Sequence, residues 1–536
     1  MKLFFRILSV LFCLILSLMS AGCKHKTPDP GDEIICYSIT YEPDSLDPQI
    51  ADDASARLIV MNIFEGLVRL DDKEQPIPGA ASKWTISDDG LIYTFHLRDD
   101  ARWSNGEQVT ADDFAFGISR TIAPETNSKG ADDLFSIKNA EAVHLGKMSL
   151  SSLGVYANGQ LLIIELAYPD PDFLTALTSP GAMPCNKSYF TASGGQYGRD
   201  ADKIISNGPF YIRRSGWSHE EYIYLRQNSE YSGEHKPVPA GVNISIASPP
   251  DNVCQAIRDG SIDCYMLPGA ELDQAKKNHL NLTSFGETVW GISFNTTNEI
   301  LQHEEIRHAL LAALDKNQIL RQVPDGCRVV NDIIPDSVRY NGFSYRSHAP
   351  SGLCIPFSET AKDELKKAMA KLKIDSLPKL TILCTDDEAT QGIVNSIIEK
   401  WNDLTGSYIN KNPVSSSELN NAVQSGEYRV VIAPLVADGN SPVNTLELFS
   451  TGSVYNSAKL SDEKYDSIVE DIHTLPENEA MVKIIEAEQY LNDKGVFYPL
   501  YAENRYYASS ENVTGIIFHP FEAGIDFAGA TKLTNS

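Results

Sequence analysis

Apolar and polar positions along this chain switch repeatedly between a period of two and a period of 3.6, the signature of strands interleaved with helices. Residues 93–98 alternate as Tyr, Thr, Phe, His, Leu, Arg and predict a half-buried strand. Further strands are predicted at 36–40, 161–166, 210–213, 222–226 and 242–247. Leu58, Met61, Ile63, Phe64 and Leu67 form a helical stripe. Thr110 with Asp112 and Asp113 marks the start of a helix reaching 122, because a hydroxyl caps and acids favour the positive first turn. Ile306, Ala309, Leu310, Ala313 and Leu314 repeat at amphipathic-helix spacing. Helices are predicted near 359–372, 389–404, 462–473 and 477–493, and strands at 291–295, 380–384, 429–433 and 497–501. The stretch 320–356 is rich in turns and poorly periodic. The chain is therefore mixed α/β throughout.

The first 22 residues differ from the rest. Lys2 and Arg6 precede an apolar run over 7–19, and Ser20, Ala21 and Gly22 lead into Cys23. That order of basic, apolar and small residues is the layout of an export signal. The run is short for a membrane span, which needs about 20 apolar residues. Residues 23–33, with Pro28, Pro30 and Gly31, suit a tether.

Composition narrows the possibilities. The formal net charge is −27, and loss of Lys2 and Arg6 with the leader makes the body more acidic still. Such a surface repels phosphate backbones, so no nucleic acid partner is expected. At 536 residues the chain can build more than one core. Beyond Cys13 and Cys23 there are seven cysteines, an odd number, with no C-x-x-C pair. Disulfide pairing and burial as small apolar groups both remain open for them. Zinc and thioredoxin-type chemistry lack the required spacing.

Enzyme signatures are missing: no G-x-S-x-G, no G-x-x-x-x-G-K and no G-x-G-x-x-G occurs. His303 and His308 flank two glutamates but stand five residues apart, about 140° around a helix, too far for a two-histidine zinc motif. The sequence predicts no catalytic residue, metal or cofactor.

One ordered series of segments carries more information. It runs through 42–48 (EPDSLDP), 64–70 (FEGLVRL), 78–84 (PGAASKW), 87–90 (SDDG), 93–98, 103–106 (WSNG), 109–114 (VTADDF), 207–210 (NGPF), 290–295 (WGISFN), 306–310 (IRHAL) and 314–316 (LDK). In order and spacing the series resembles the extracellular solute-binding proteins of the peptide/nickel family, which serve ABC importers, and is closest to their oligopeptide-binding lipoproteins. Read for chemistry alone, the segments are mostly turn punctuation and core aromatics.

The resemblance implies an α/β, two-lobed periplasmic-binding-protein-like fold of type II with an extra subdomain and a ligand cleft between lobes. The expected division is 34–66, 185–289 and 498–536 for lobe I, 67–184 for the extra subdomain and 290–497 for lobe II. It implies a monomer that captures short peptides for an ABC permease in the cytoplasmic membrane. The match of Ala21-Gly22-Cys23 to a lipobox implies lipidation of Cys23, so that the exported chain sits on the periplasmic or cell-surface side of a bacterial membrane. Asp438 matches the aspartate that pairs with a peptide's α-ammonium, with Leu435 and Val436 beside it. Glu42 and Phe116 match lobe I positions lining the cleft, and Tyr501 stands near the second crossover. The segment departs from the family: Leu435 replaces a tryptophan, Gly439 a tyrosine and Ser441 an acid, and Ile432 stands where some relatives carry arginine. The peptide's C-terminal anchor is unassigned. A non-peptide solute, amine-bearing or a nickel complex or a sugar, and a structural role as a surface lipoprotein are the alternatives.

Overall fold

The structure is a computed structural model that describes residues 33–321, 323, 326–340, 342–435, 440–520 and 524–533. The leader, the tether up to residue 32 (Cys23 included), Val436 and Asp438 lie outside these residues.

Three sheets organise the chain. The first has four strands in the order Ile34–Ile39, Gly241–Ile246, Tyr222–Gln227 and Phe210–Ser218, with only the first pair parallel. The second is an antiparallel sheet of Ala81–Ile86, Ile92–Leu97, Leu161–Glu165 and Val155–Asn158. Helix Ala111–Ile122 belongs to the same part of the chain. Its start is fixed as the sequence predicts: the Asp113 carboxylate accepts from the Thr110 amide at 2.9 Å and from its hydroxyl at 3.1 Å. Both sheets share one hydrophobic core, which also takes Val513, Phe518 and Phe527 from the end of the chain. The expected subdomain 67–184 thus has its own sheet but no separate core.

The third sheet has seven strands and runs from lobe I, where Cys264–Leu267 pairs with residues 506–509, into the other lobe. Strand Thr381–Thr385 leads through helix Glu388–Thr405 to the parallel strand Asn410–Val414. Helix Ser416–Ser425 then returns the chain to Val430–Leu435, again parallel to Thr381–Thr385. Crossover helices are what parallel neighbours require. Their central strands are buried almost end to end, as sheets covered on both faces demand. The ladder from Thr381–Thr385 onto Val430–Leu435 stops at Val431, so Pro434 costs that side no hydrogen bond.

Two long strands join the lobes. Asn281–Phe294 and Phe497–Ser509 pair antiparallel over nearly their whole length. Phe285 and Tyr507 pack with the first core, whereas Ile292, Phe294, Tyr498 and Leu500 pack in the second. Register shifts interrupt the ladder at 286/288 and 290/291.

Some expectations are corrected. Helix Ala54–Ile63 ends before Leu67, because the chain turns extended at Phe64 and Val68–Leu70 enters a hairpin with Pro76–Pro78. The strand expected at 291–295 begins ten residues earlier. All seven described cysteines are free thiols.

Candidate ligand cleft

A cavity of about 830 Å³ opens between the lobes. Lobe I contributes Met61, Phe64, Arg69, Asp170 and Asp172, and lobe II contributes Ser441, Val443, Glu447, Tyr455 and His473. The size suits a small-molecule ligand, for which cavities run about 300–1,000 Å³. The lining combines apolar surface with charged groups.

Each polar wall has a local cause. Leu161–Glu165 delivers the chain to the turn Tyr168-Pro169-Asp170-Pro171-Asp172, and the two prolines hold its φ values. Asp172 then reaches across the cleft and accepts from the Ser441 hydroxyl at 2.5 Å. Ser441 is the N-cap of helix Pro442–Glu447 and also accepts from the Val443 amide. Burial, reinforced by the Asp170 charge, pushes the Asp172 carboxyl up to about 7. Burial likewise raises Asp170. On the lobe II wall the Glu447 carboxylate lies 2.8 Å from Nε2 of His473 and raises the imidazole's affinity for a proton. The Tyr168 ring meets the His473 ring edge-on at 6.2 Å.

The lobe I floor is a buried charge network. Glu65 pairs with Arg98 at 2.7 Å and accepts from the Tyr231 hydroxyl. Burial raises the Glu65 carboxyl more than Arg98 and Arg69 lower it. Arg69 pairs with Asp526, and Glu74 lies 2.7 Å from Nδ1 of His519. The Glu65–Arg98 and Arg69–Asp526 pairs each match a largely buried carboxylate with a guanidinium, which buried charges require. Asp170 and Asp172 have no such cation in ion-pair contact among the described residues.

The four described residues singled out by resemblance lie elsewhere. The Glu42 carboxylate accepts from Trp217 at 2.6 Å and from the Glu220 amide at 2.9 Å, and meets His219 at 2.6 Å. Burial pushes it up, but these bonds outweigh burial and hold it below the usual carboxylate range. Phe116 packs edge-on against Phe190 and lines a separate hollow of about 450 Å³. Leu435 is buried in the lobe II core with Val289 and Phe449. Tyr501 is 2 % exposed and stacks on Trp290 at 5.9 Å. None of the four lines the large cavity.

Asp170, Asp172, Glu447 and His473 were not read from the sequence as site residues. The available signal was two acids spaced by one proline directly after a buried strand. The other half of the arrangement, Ser441 in place of an acid, has meaning only once Asp172 is seen opposite it. No set of three or more metal-ligating side chains occurs among the described residues. His303 instead precedes helix Glu304–Ala312 as its N-cap, and His308 bonds the Asp493 carbonyl. No described helix is long and apolar enough to cross a membrane.

Two α/β lobes, linked by paired strands and enclosing a cavity, define a solute-binding fold. The MppA periplasmic murein tripeptide-binding protein, in its unliganded open form, superposes with a TM-score of 0.78 over 94 % of this chain and 98 % of that one, at 22 % identity. The model of the bacterial extracellular solute-binding proteins, family 5 Middle, matches residues 75–457, and the chain belongs to this family. It is 27 % identical over 531 residues to the oligopeptide-binding protein OppA of Bacillus subtilis, covering 95 % of this chain and 96 % of that one. It is 28 % identical over 360 residues to the probable deoxycholate-binding periplasmic protein YgiS of Escherichia coli, covering 66 % and 64 %.

Proposed function

We propose that this protein is the substrate-binding lipoprotein of an ABC importer, anchored through Cys23, and that it captures short peptides between two closing lobes. It has no catalytic role in this reading. Asp438 holds the peptide's N-terminus: a carboxylate removed from water gains from meeting one ammonium, through a short charge-assisted bond. The observation that carries the reading is the inter-lobe cavity of about 830 Å³ in a chain alignable with a peptide binder over almost its full length. Native mass spectrometry of protein purified without refolding tests it. A ladder of masses resolving, on denaturation, into short peptides is the expected result. A single non-peptide mass would replace it with the second reading, a non-peptide solute, which the likeness to YgiS favours. For the anchor, a clickable fatty acid should label the wild type and leave Cys23→Ser unlabelled.

A further inference from the structure

Away from the cleft, lobe II holds a lysine and a cysteine in direct contact. Lys316 opens the one-turn helix Lys316–Ile319, immediately after the N-cap Asp315. It is 9 % exposed. Its Nζ donates to the Val330 carbonyl at 2.8 Å, to Asn331 Oδ1 at 3.0 Å and to Cys354 Sγ at 3.3 Å. The Tyr498 ring centroid lies 4.3 Å from the same nitrogen. No carboxylate is in ion-pair contact with it among the described residues. A buried ammonium without a counter-charge favours its neutral form, and burial lowers the proton affinity of Lys316 accordingly. Cys354 is a free, half-buried thiol, whose sulfur also reaches Asn331 at 3.6 Å.

Ordinary packing explains two of the three Lys316 hydrogen bonds. The third sets a nucleophilic nitrogen against an oxidisable sulfur that small oxidants can reach. We propose that Lys316 Nζ and Cys354 Sγ form a covalent nitrogen–oxygen–sulfur bridge when the protein is exposed to dioxygen. The thiol, the ammonium and one O₂ give the S–O–NH linkage, one water and one proton. The S–H bond, two N–H bonds and the O–O bond break. An S–O and an O–N bond form, with the second oxygen leaving as water. Sulfur and nitrogen each lose two electrons, and the four reduce O₂. Dioxygen enters from outside, as it does for other steps of cysteine oxidation.

The bridge closes a ring from 316 to 354. Within that ring the regular structure is slight: Cys327–Val329, Arg339–Tyr340 and Phe343–Ser344 are its only strands among the described residues. A crosslink there removes freedom chiefly from the unfolded chain, so the bridged form should melt higher.

The test is a peptide map of the full chain, purified in air without reductant and digested under the same conditions. Expected is a peptide containing Lys316 joined to one containing Cys354, about 14 Da heavier than the two together, from one oxygen gained and two hydrogens lost. It should vanish after thiol reductant, in Cys354→Ser, and in protein prepared anaerobically. Lys316→Arg should also lack it, and if that variant fails to fold the wild-type map still decides. After prolonged exposure to air, Cys354 that remains fully alkylatable overturns the proposal. So does a linked pair about 2 Da lighter than its parts, which would be a direct S–N bond, and so does Cys354 disulfide-bonded to another cysteine.

Discussion

Asp172 is where a single side chain decides the most. Its carboxyl sits near 7 because burial and Asp170 disfavour its charge. A folded-state value above the unfolded one means that the folded chain holds the extra proton, so stability is greatest at low pH and falls as pH rises through about 7. Asp172→Asn is neutral at every pH and can still accept from Ser441. Between pH 5.5 and 8 the wild type should therefore lose more melting temperature than Asp172→Asn, by about 2 °C or more in calorimetry. His473 is also raised, by Glu447, so its contribution too is lost as pH rises. Asp172 itself adds to that shift, so the difference between the two proteins reports Asp172 together with its coupling to His473. Equal slopes would remove the buried carboxyl as a stability term. For Asp438, Asp438→Asn should cost on the order of 2–5 kcal/mol in peptide affinity, as breaking a desolvated charge pair does. N-terminal acetylation of the peptide should cost the wild type a similar amount and the mutant almost nothing, by calorimetry on the four combinations. Additive losses would take Asp438 out of the site. At this scale the sequence was only partly legible. Asp113 is visible as a helix-start acid because its partner Thr110 is three residues away. Asp172 is invisible because its partner Ser441 is 269 residues away.

Among elements, legibility followed the same rule. Helix Glu304–Ala312 and helix Glu388–Thr405 carry their own stripe and were read nearly to their ends. Strand Asn281–Phe294 was read only over its last residues. Its first half is mixed and partly exposed, and is held in extended form by Phe497–Ser509 from the far end of the chain. Two glycines test this contrast. At Gly291 an added Cβ would lie 2.3 Å from the Phe497 ring and 2.6 Å from the Tyr498 carbonyl oxygen. Gly291→Ala should therefore pry the two strands apart and lose about 1–3 kcal/mol in urea unfolding. Gly392, inside helix Glu388–Thr405, would meet nothing within 4 Å. Gly392→Ala should gain about 0.5–1 kcal/mol through helix propensity alone. A reversal of either sign would mean that local freedom, not the neighbouring strand, sets the cost.

For the whole molecule, the resemblance read from the sequence and the observed fold agree on two lobes around a cleft, because ordered turn and core segments recur along most of the chain. Cleft geometry was beyond its reach, since that depends on how two separately packed cores face each other. Ligand entering such a cleft should draw the lobes together and raise the melting point by mass action. Small-angle scattering with and without a saturating peptide checks the first and calorimetry the second. No change in either would count against a closing binder. The joint itself has a mechanical consequence. It is a ladder of paired strands, not slack chain, and paired strands deform by spreading small twists along their length. The ribbon thus acts as a torsion bar: torque applied to one lobe by anything that grips it is carried to the other lobe without lost motion. Its natural weak points are the two places where the ladder slips register, 286/288 and 290/291.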